Sequence, residues 1–291
     1  MAAPTLEALR KDYPDIRRDF TIDQKWETYS EAEHGTWRTL FRRLEKILPK
    51  RACDEFMSGL NALKLNDERI PNLERVSDDL ENLTGWRVVT VPSLVPDDIF
   101  FEHLANRRFP AGRFIRRPDQ LDYIEEPDIF HDFFGHVPML AHPVFADYME
   151  AYGKGGQRAL SEFGMLKQLA RLYWYTVEFG LINNPGGMRI YGSGIVSSSA
   201  ESVYALENPS PNRIAFNLER VMRTDYRIDD FQESYFVIES FDQLFKDTYQ
   251  DFGPLYATLK TGPSYKPGDI LPTDRVLHRG THTYVGGSHA A

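Results

Sequence analysis

The chain has 291 residues, and its 34 Lys and Arg against 43 Asp and Glu give a formal net charge of −9. With 42% hydrophobic residues it can bury a large core, which excludes intrinsic disorder, and its acidic balance disfavours nucleic acid and anionic membranes, because both attract clustered Lys and Arg. Cys53 is the single cysteine, so cysteine-rich zinc and iron–sulfur sites are excluded and any metal must be held by His and carboxylate side chains.

Residues 1–25 are polar and interrupted by prolines, and we expect them to form an extension over the surface. The chain start lacks the apolar core of a signal peptide, and no apolar run approaches the ~20 residues of a membrane span, so a soluble cytoplasmic protein is expected. The first helix is predicted from Ser30, which forms a capping box with Glu33. Apolar residues then recur at helical spacing until Pro49.

Two helices, a strand and a further helix are predicted next. One helix carries Phe56 to Leu63, and another runs from about Asn72 to Gly85. The run WRVVTV at 86–91 indicates a strand. Pro96 and the acidic pair that follows it favour a helix start, because carboxylates stabilise the positive end of a helix.

The second half of the chain is also predicted to be mainly helical. The tail beyond Gly262 contains no heptad pattern, so it provides no oligomerisation helix. No linker divides the chain, and the pattern predicts one mostly α-helical domain with small β elements. We assign 1–25 to an extension, 26–262 to a catalytic domain and 263–291 to a tail. The remaining predicted elements are helices at 128–151, 165–182, 212–224 and 240–260, and strands at 114–116, 188–191 and 231–238.

Three of the eight histidines fall within twelve residues, at His131, His136 and His142. On a regular helix, residues five apart are rotated by about 140°, so His131 and His136 can converge on one ion only where the helix ends or distorts. Gly135 permits such a distortion, and Pro138 prevents regular continuation. Histidines that cap a helix or pack in the core are the other interpretation of this segment.

Glu178 lies in the run LYWYTVEFG, whose apolar residues occupy every side of a helix and predict burial. A buried glutamate needs a cation or a metal, because an isolated carboxylate loses too much hydration. Arg171, on the same face, is one candidate partner; a metal shared with the two histidines is the other. Two His and one carboxylate form the facial triad of non-haem Fe(II) enzymes, but zinc hydrolases also use His₂Glu, so the ligand types alone do not choose the metal.

Several runs carry a family resemblance. FHDFFGHVPML, RLYWYTVEFGLI and RIYGSGIVSS resemble the pterin-dependent aromatic amino acid hydroxylases, and CDEFM, VPDDIFFEHLANRRFP and EAYGKGG resemble their bacterial, phenylalanine-specific members. The similarity covers about residues 20–260. It implies a single catalytic domain that hydroxylates L-phenylalanine to L-tyrosine with Fe(II), a tetrahydropterin and O₂. Tryptophan or tyrosine as preferred substrate, a zinc hydrolase with Asp132 as base, and a binding module without turnover are the alternatives.

The resemblance also implies individual roles. The iron ligands would be His131, His136 and Glu178. The residues placed at the pterin are Leu94, Val95 and Phe100, together with Asp132 and Tyr173, which would lie near both pterin and iron. The substrate residues are Arg116 for the carboxylate, Asp128 holding Arg116, Trp174 beside the aromatic ring, and Ser197 at its polar end.

Two of these roles have a separate physical basis. Trp174 and Glu178 are four residues apart, which places both on one face of an α-helix. The planar fork of Arg116 suits bidentate recognition of a carboxylate. The chain has room for neither the regulatory domain nor the tetramerisation helix of the animal members, so we expect a monomer.

Overall fold

The computed structural model describes residues 4–284; the remainder of the predicted extension and tail, 1–3 and 285–291, lies outside the described residues. The chain divides into two compact units. Of the described residues, the first comprises 4–46 and 54–157, and the second comprises 47–53 and 158–284. The expected class, mostly α with small β elements, is confirmed.

The first unit consists of helices with one small parallel sheet. Strands β1 (Arg87–Val91) and β2 (Arg108–Gly112) pair in parallel, with Val88 opposite Phe109. A π-helix, in which backbone bonds run from i to i+5, spans Phe130–His136. The α-helices are α1 (Leu6–Leu9), α2 (Glu31–Glu45), α3 (Asp54–Ala62), α4 (Leu73–Thr84), α5 (Asp97–Ala105), α6 (Val137–Leu140) and α7 (Pro143–Arg158).

Most predicted boundaries in this unit are confirmed. Ser30 and Glu33 form the capping box before α2, and α4 ends at Gly85, whose φ of 76° is the left-handed conformation that glycine favours. The strand predicted at 114–116 is wrong, because β2 lies earlier, at Arg108–Gly112. Pro110 and Gly112 hide that strand in the sequence, and the structure tolerates the proline on an edge of the two-stranded sheet.

The N-terminal segment does not lie wholly on the surface as expected. Ile16, Phe20 and Ile22 are buried, and they pack with Val95 and Ile99 at the start of α5. These apolar residues sit in irregular backbone, where no helical or strand period makes them visible in the sequence. The segment therefore supports the loop that carries Leu94 and Val95.

An aromatic cluster forms the core around the first π-helix. Phe130 stacks on Phe134 with ring centroids 4.8 Å apart, and Trp37 of α2 meets Phe130 edge-on at 5.1 Å. Phe41 and Phe56 meet Phe134 edge-on at 5.3 Å and 5.9 Å. These contacts bury the phenylalanine side of the π-helix and fix its rotation about its axis.

The second unit is built on a five-stranded mixed sheet with the order β4-β3-β6-β5-β7. β6 pairs in parallel with β3 and β5, and the edge strands β4 and β7 are antiparallel to their neighbours. The strands are β3 (Leu181–Asn184), β4 (Gly187–Ile190), β5 (Asn212–Ala215), β6 (Ser234–Ile238) and β7 (Val276–His278). The α-helices are α8 (Leu166–Tyr173), α9 (Ser193–Val196), α10 (Ser199–Glu207), α11 (Leu218–Met222), α12 (Phe241–Thr248) and α13 (Gly253–Thr261), and π-helices span Ala159–Phe163 and Trp174–Glu178.

Three helix predictions in this unit have wrong boundaries. The helix predicted at 165–182 ends at Glu178, and its last residues belong to β3. The segment at 212–224 begins as β5, and 240–260 is two helices separated before Gly253. Short apolar runs such as Leu181–Ile182 fit a strand and a buried helix equally well, so periodicity could not separate them.

The tail beyond Gly262 is part of this unit over its described residues. β7 extends the sheet beside β5, and Asp274 forms a buried ion pair with Arg220, whose Nε lies 3.0 Å from the Asp274 carboxylate. The Gly280 amide donates to Asn212 at 2.8 Å. Among residues 4–284, no helix combines the length and the apolar character needed to cross a membrane.

Candidate metal centre

The first π-helix, Phe130–His136, is here called the histidine π-helix. Its i to i+5 bonds bring residues five apart onto successive turns of the same side, so the distortion predicted between His131 and His136 is confirmed. The two imidazole rings are perpendicular, with centroids 5.1 Å apart. The ring of Phe109 in β2 packs at 4.8 Å from His136.

His131, His136 and Glu178 converge. One ligand atom of each lies within 4.8 Å of the others, giving two imidazole nitrogens and one carboxylate oxygen. Glu178 is the last residue of the second π-helix, Trp174–Glu178, here called the glutamate π-helix. This donor set suits a divalent first-row metal and fits the facial triad of non-haem Fe(II) enzymes.

Glu178 is oriented by a serine that the sequence did not single out. Ser193 Oγ lies 2.8 Å from Glu178 Oε2, to which it donates, and 3.1 Å from the Val177 carbonyl. The alternative that Arg171 neutralises Glu178 is wrong. The Arg171 guanidinium instead pairs with Asp225 and donates to the Met222 carbonyl at 2.9 Å.

Arg116 and Asp128 form a buried bidentate pair, with Nε to Oδ2 at 2.9 Å and Nη2 to Oδ1 at 2.8 Å. Burial alone would raise the pKa of Asp128, but the hydrogen bonds and charge of Arg116 outweigh it and hold this pKa below its usual range. Asp128 Oδ1 also accepts from the His131 amide at 3.1 Å. One carboxylate therefore connects Arg116 to the start of the histidine π-helix.

Asp132 follows the first histidine and contacts the end of β2. Its Oδ2 accepts from the Gly112 amide at 2.7 Å. A Cβ at Gly112 would lie 3.3 Å from the same oxygen, which is a tight approach. Asp132 is thus held by backbone next to His131.

Leu94, Val95 and Phe100 lie in the loop before α5 and in its first turns. Leu94 is 37% exposed, and Val95 packs on the N-terminal apolar cluster. Phe100 is half-buried and meets Phe101 edge-on at 5.8 Å. The structure therefore presents a partly exposed apolar segment here.

Trp174 begins the glutamate π-helix, and the half-buried Tyr173 precedes it at the end of α8. Trp174 Nε1 donates to Gln232 Oε1 at 2.9 Å, and its ring stacks on Tyr226 at 4.3 Å. The four-residue spacing from Trp174 to Glu178 thus falls within one π-helical turn, where the α-helical face argument does not apply.

Ser197 is buried at the end of α9, and its Oγ donates to the Ser193 carbonyl at 2.7 Å. Ser193 and Ser197 are therefore linked, although the sequence drew attention only to the second. Gln232 and Glu201 were also missed, because their contacts join segments distant in the sequence and leave no local pattern. Ser193 lies within the run RIYGSGIVSS, which was the one available signal.

Comparison with known proteins shows matches over nearly the whole chain. A family model described as biopterin-dependent aromatic amino acid hydroxylase matches residues 4–256. A phenylalanine-4-hydroxylase of Caulobacter vibrioides is 62% identical over 94% of this chain and 92% of that protein. The corresponding enzyme of Chromobacterium violaceum is 58% identical over 90% of this chain and 88% of that protein.

Solved structures agree with this match. The iron- and phenylalanine-bound crystal structure of phenylalanine hydroxylase from C. violaceum superposes with a TM-score of 0.88 at 53% identity, covering 94% of this chain and 100% of that chain. A cobalt-bound structure of the same enzyme gives a TM-score of 0.89 at 54% identity, covering 95% and 100%.

Proposed function

The chain belongs to the biopterin-dependent aromatic amino acid hydroxylase family, and on that premise we propose that it hydroxylates L-phenylalanine at the ring para carbon to give L-tyrosine. Fe(II) is the cofactor, and a tetrahydropterin and O₂ are the co-substrates. The observation that carries the proposal is the convergence of His131, His136 and Glu178 in a chain of this family.

The three converging side chains are the proposed iron ligands. When bound, iron and the pterin supply the activation of O₂, whose triplet ground state reacts slowly with closed-shell molecules. The protein contributes the placement of the reactants and the exclusion of competing reactions. A His₂Glu set also fits zinc, but the iron-bound relative from C. violaceum supports iron over a hydrolytic zinc.

Arg116 is the proposed partner of the substrate carboxylate. Asp128 occupies Nε–H and one Nη2–H, so the Nη1 end of the guanidinium is the part that can meet a substrate. The rigid pair holds that end in place without further ordering of a long side chain. Trp174 is proposed to pack beside the substrate ring and Ser197 to lie at its polar end.

The proposed pterin site uses Leu94 and Val95 through their backbone and Phe100 through ring stacking. Asp132 and Tyr173 are proposed to lie near both pterin and iron. Support comes from the partly exposed apolar character of the segment and from the Gly112 amide that holds Asp132. Phe100 is half-buried, and an aromatic ring is suited to stacking on a flat heterocycle.

An aerobic assay with Fe(II) and a tetrahydropterin, run with each aromatic amino acid in turn, tests the proposal. We expect tyrosine from phenylalanine, with a larger kcat/KM than for hydroxylation of tryptophan or tyrosine. Omitting the pterin or O₂ should abolish the product. Preference for another amino acid would assign the chain to another specificity of the family, and hydrolysis with zinc in the absence of O₂ would overturn the hydroxylase proposal.

We further propose that the protein acts as a cytoplasmic monomer without nucleic-acid or membrane partners. The division into an extension at 1–25, a catalytic domain at 26–262 and a tail at 263–291 is likewise a proposal. The acidic net charge of −9 supports the absence of nucleic-acid and anionic-membrane partners, because both attract clustered Lys and Arg. Sedimentation equilibrium at several protein concentrations tests the monomer, for which a mass of 33.6 kDa is expected.

A further inference from the structure

The indole of Trp174 is held in two different ways. Its face stacks on Tyr226 with ring centroids 4.3 Å apart and planes 14° apart, and Phe179 packs at 4.7 Å and 33°. Stacking fixes the plane of a ring but lets it slide and turn within that plane. The hydrogen bond from Trp174 Nε1 to Gln232 Oε1 at 2.9 Å removes this remaining freedom.

Gln232 is itself fixed in a way that presents its oxygen to Trp174. Its side-chain nitrogen donates to the Arg227 carbonyl at 3.0 Å and to the Asp230 carbonyl at 3.4 Å. Because both donors face backbone carbonyls, the amide cannot flip without losing these bonds, and Oε1 must face the indole. The residue is 2% exposed, so water does not compete at this contact.

Behind Gln232 lies a buried carboxylate. Glu201 Oε1 accepts a bond from the Tyr235 hydroxyl and a longer one, 3.4 Å, from the backbone N–H of Gln232. These contacts anchor the backbone of Gln232 to α10 and β6. The indole is thereby connected to rigid secondary structure of the second unit.

We propose that Gln232 is a positioning residue that fixes the indole of Trp174, and that this bond sets the affinity of the enzyme for the aromatic side chain of its amino-acid substrate. The inference rests on the proposed function, since it takes Trp174 as a wall of the substrate site. Trp174 opens the turn that ends at Glu178, so the same bond also fixes one end of the segment carrying a metal ligand.

The variant Gln232→Met tests this, because methionine keeps the unbranched shape of glutamine but offers no strong acceptor. We expect KM for phenylalanine to rise about threefold to tenfold, the range that one neutral hydrogen bond accounts for, while KM for the pterin stays within twofold. KM does not depend on the amount of folded enzyme, so partial unfolding cannot imitate this split. Gln243→Met, at an exposed glutamine of α12, is the matched control and should change neither constant.

A double-mutant cycle separates positioning from simple destabilisation. In a Trp174→Phe background the indole donor is gone, so Gln232→Met should add no further increase in KM for phenylalanine. A full additional increase there, an unchanged KM in the single variant, or equal increases in both KM values would each overturn the inference.

The indole resonances of the metal-free protein give a readout independent of activity. The chain has four tryptophans, and Trp174→Phe identifies the relevant signal in a ¹⁵N-indole spectrum. We expect Gln232→Met to shift that signal and to speed its exchange with solvent, leaving the other three in place. An unshifted Trp174 signal would overturn the inference, whereas a wild-type enzyme that makes no tyrosine while this shift is present would overturn the proposed function instead.

Discussion

The two π-helices that carry the proposed ligands are fixed by different kinds of contact. The histidine π-helix is anchored mainly by apolar packing, with Phe130, Phe133 and Phe134 buried among aromatic rings. The glutamate π-helix also packs through rings, with Trp174 stacked on Tyr226, but polar contacts orient its functional groups: Ser193 orients Glu178 and Gln232 orients Trp174. Packing resists changes of volume, whereas hydrogen bonds fix the direction of individual atoms.

A buried carboxylate supports each π-helix, Asp128 for the histidine π-helix and Glu201 for the glutamate π-helix. The pKa values of these two carboxylates are shifted in opposite directions. Asp128, beside Arg116, has a lowered pKa and is ionised at neutral pH. For Glu201, burial is the main cause of a pKa raised to about 7. The hydrogen bond from Tyr235 lowers this pKa only partly, and the nearby charge of Asp230 raises it further. Two buried carboxylates therefore have pKa values shifted in opposite directions, and the presence of a paired cation decides the direction.

Replacing a metal ligand should have the largest effect on iron content and activity. The loss should be equal whether the ligand lies on the histidine π-helix or on the glutamate π-helix. We expect Glu178→Ala and His136→Ala each to lose iron and activity together while the fold survives, because two remaining ligands hold Fe(II) too weakly. Iron content, tyrosine formation and circular dichroism check this. His142→Ala, from the same sequence run, should keep its iron; a normal iron content in either ligand variant would contradict the assignment.

Removing a ring from the aromatic cluster should affect stability rather than chemistry. Phe134 is 1% exposed and contacts Phe130, Phe41 and Phe56. Phe134→Ala should lower the free energy of unfolding by about 3–5 kcal/mol through lost burial and the cavity left behind. Denaturant titration measures the loss, and Phe134→Leu should lose less. A stability within 1 kcal/mol of wild type would show that packing is not what anchors the histidine π-helix.

The sequence predicted the metal ligands better than their supports, and the reason is physical. His131, His136 and Glu178 are conspicuous because histidine is sparse and a buried glutamate needs a partner. The contacts of Ser193 and Gln232 depend on chain segments that meet only in the folded state, so no period or spacing reveals them. The strands β2 and β5 were missed for a related reason, since Pro110 conceals the first and the second forms the start of a segment, 212–224, whose apolar residues also fit a helix.

The raised pKa of Glu201 predicts a pH-dependent stability. Because the folded-state pKa of about 7 exceeds the ordinary value of 4.5, the stabilisation is fully present below pH 4.5 and is lost as pH rises through 7. Relative to Glu201→Gln, wild type should lose up to about 3 kcal/mol of unfolding free energy between pH 4.5 and 8, at 1.36 kcal/mol per pKa unit. Denaturant titrations across this range measure it, with the exposed Glu207→Gln as the control. Parallel curves for wild type and Glu201→Gln would contradict the prediction.

Ser193→Ala should give the smallest effect and the sharpest test of the polar anchoring. The hydroxyl donates to Glu178 Oε2, so its loss keeps the carboxylate but removes the bond that directs this oxygen. Partners of metal ligands typically contribute tenfold or more to affinity, and we expect Fe(II) affinity to fall about tenfold, measured by competition with a chelator. Ser202→Ala removes another buried hydroxyl, one that donates to the Ile195 carbonyl, and should leave Fe(II) affinity unchanged. If both variants lower Fe(II) affinity equally, the effect comes from a general loosening of the second unit. If only Ser193→Ala lowers it, the polar contacts of the glutamate π-helix act by fixing the direction of one carboxylate oxygen.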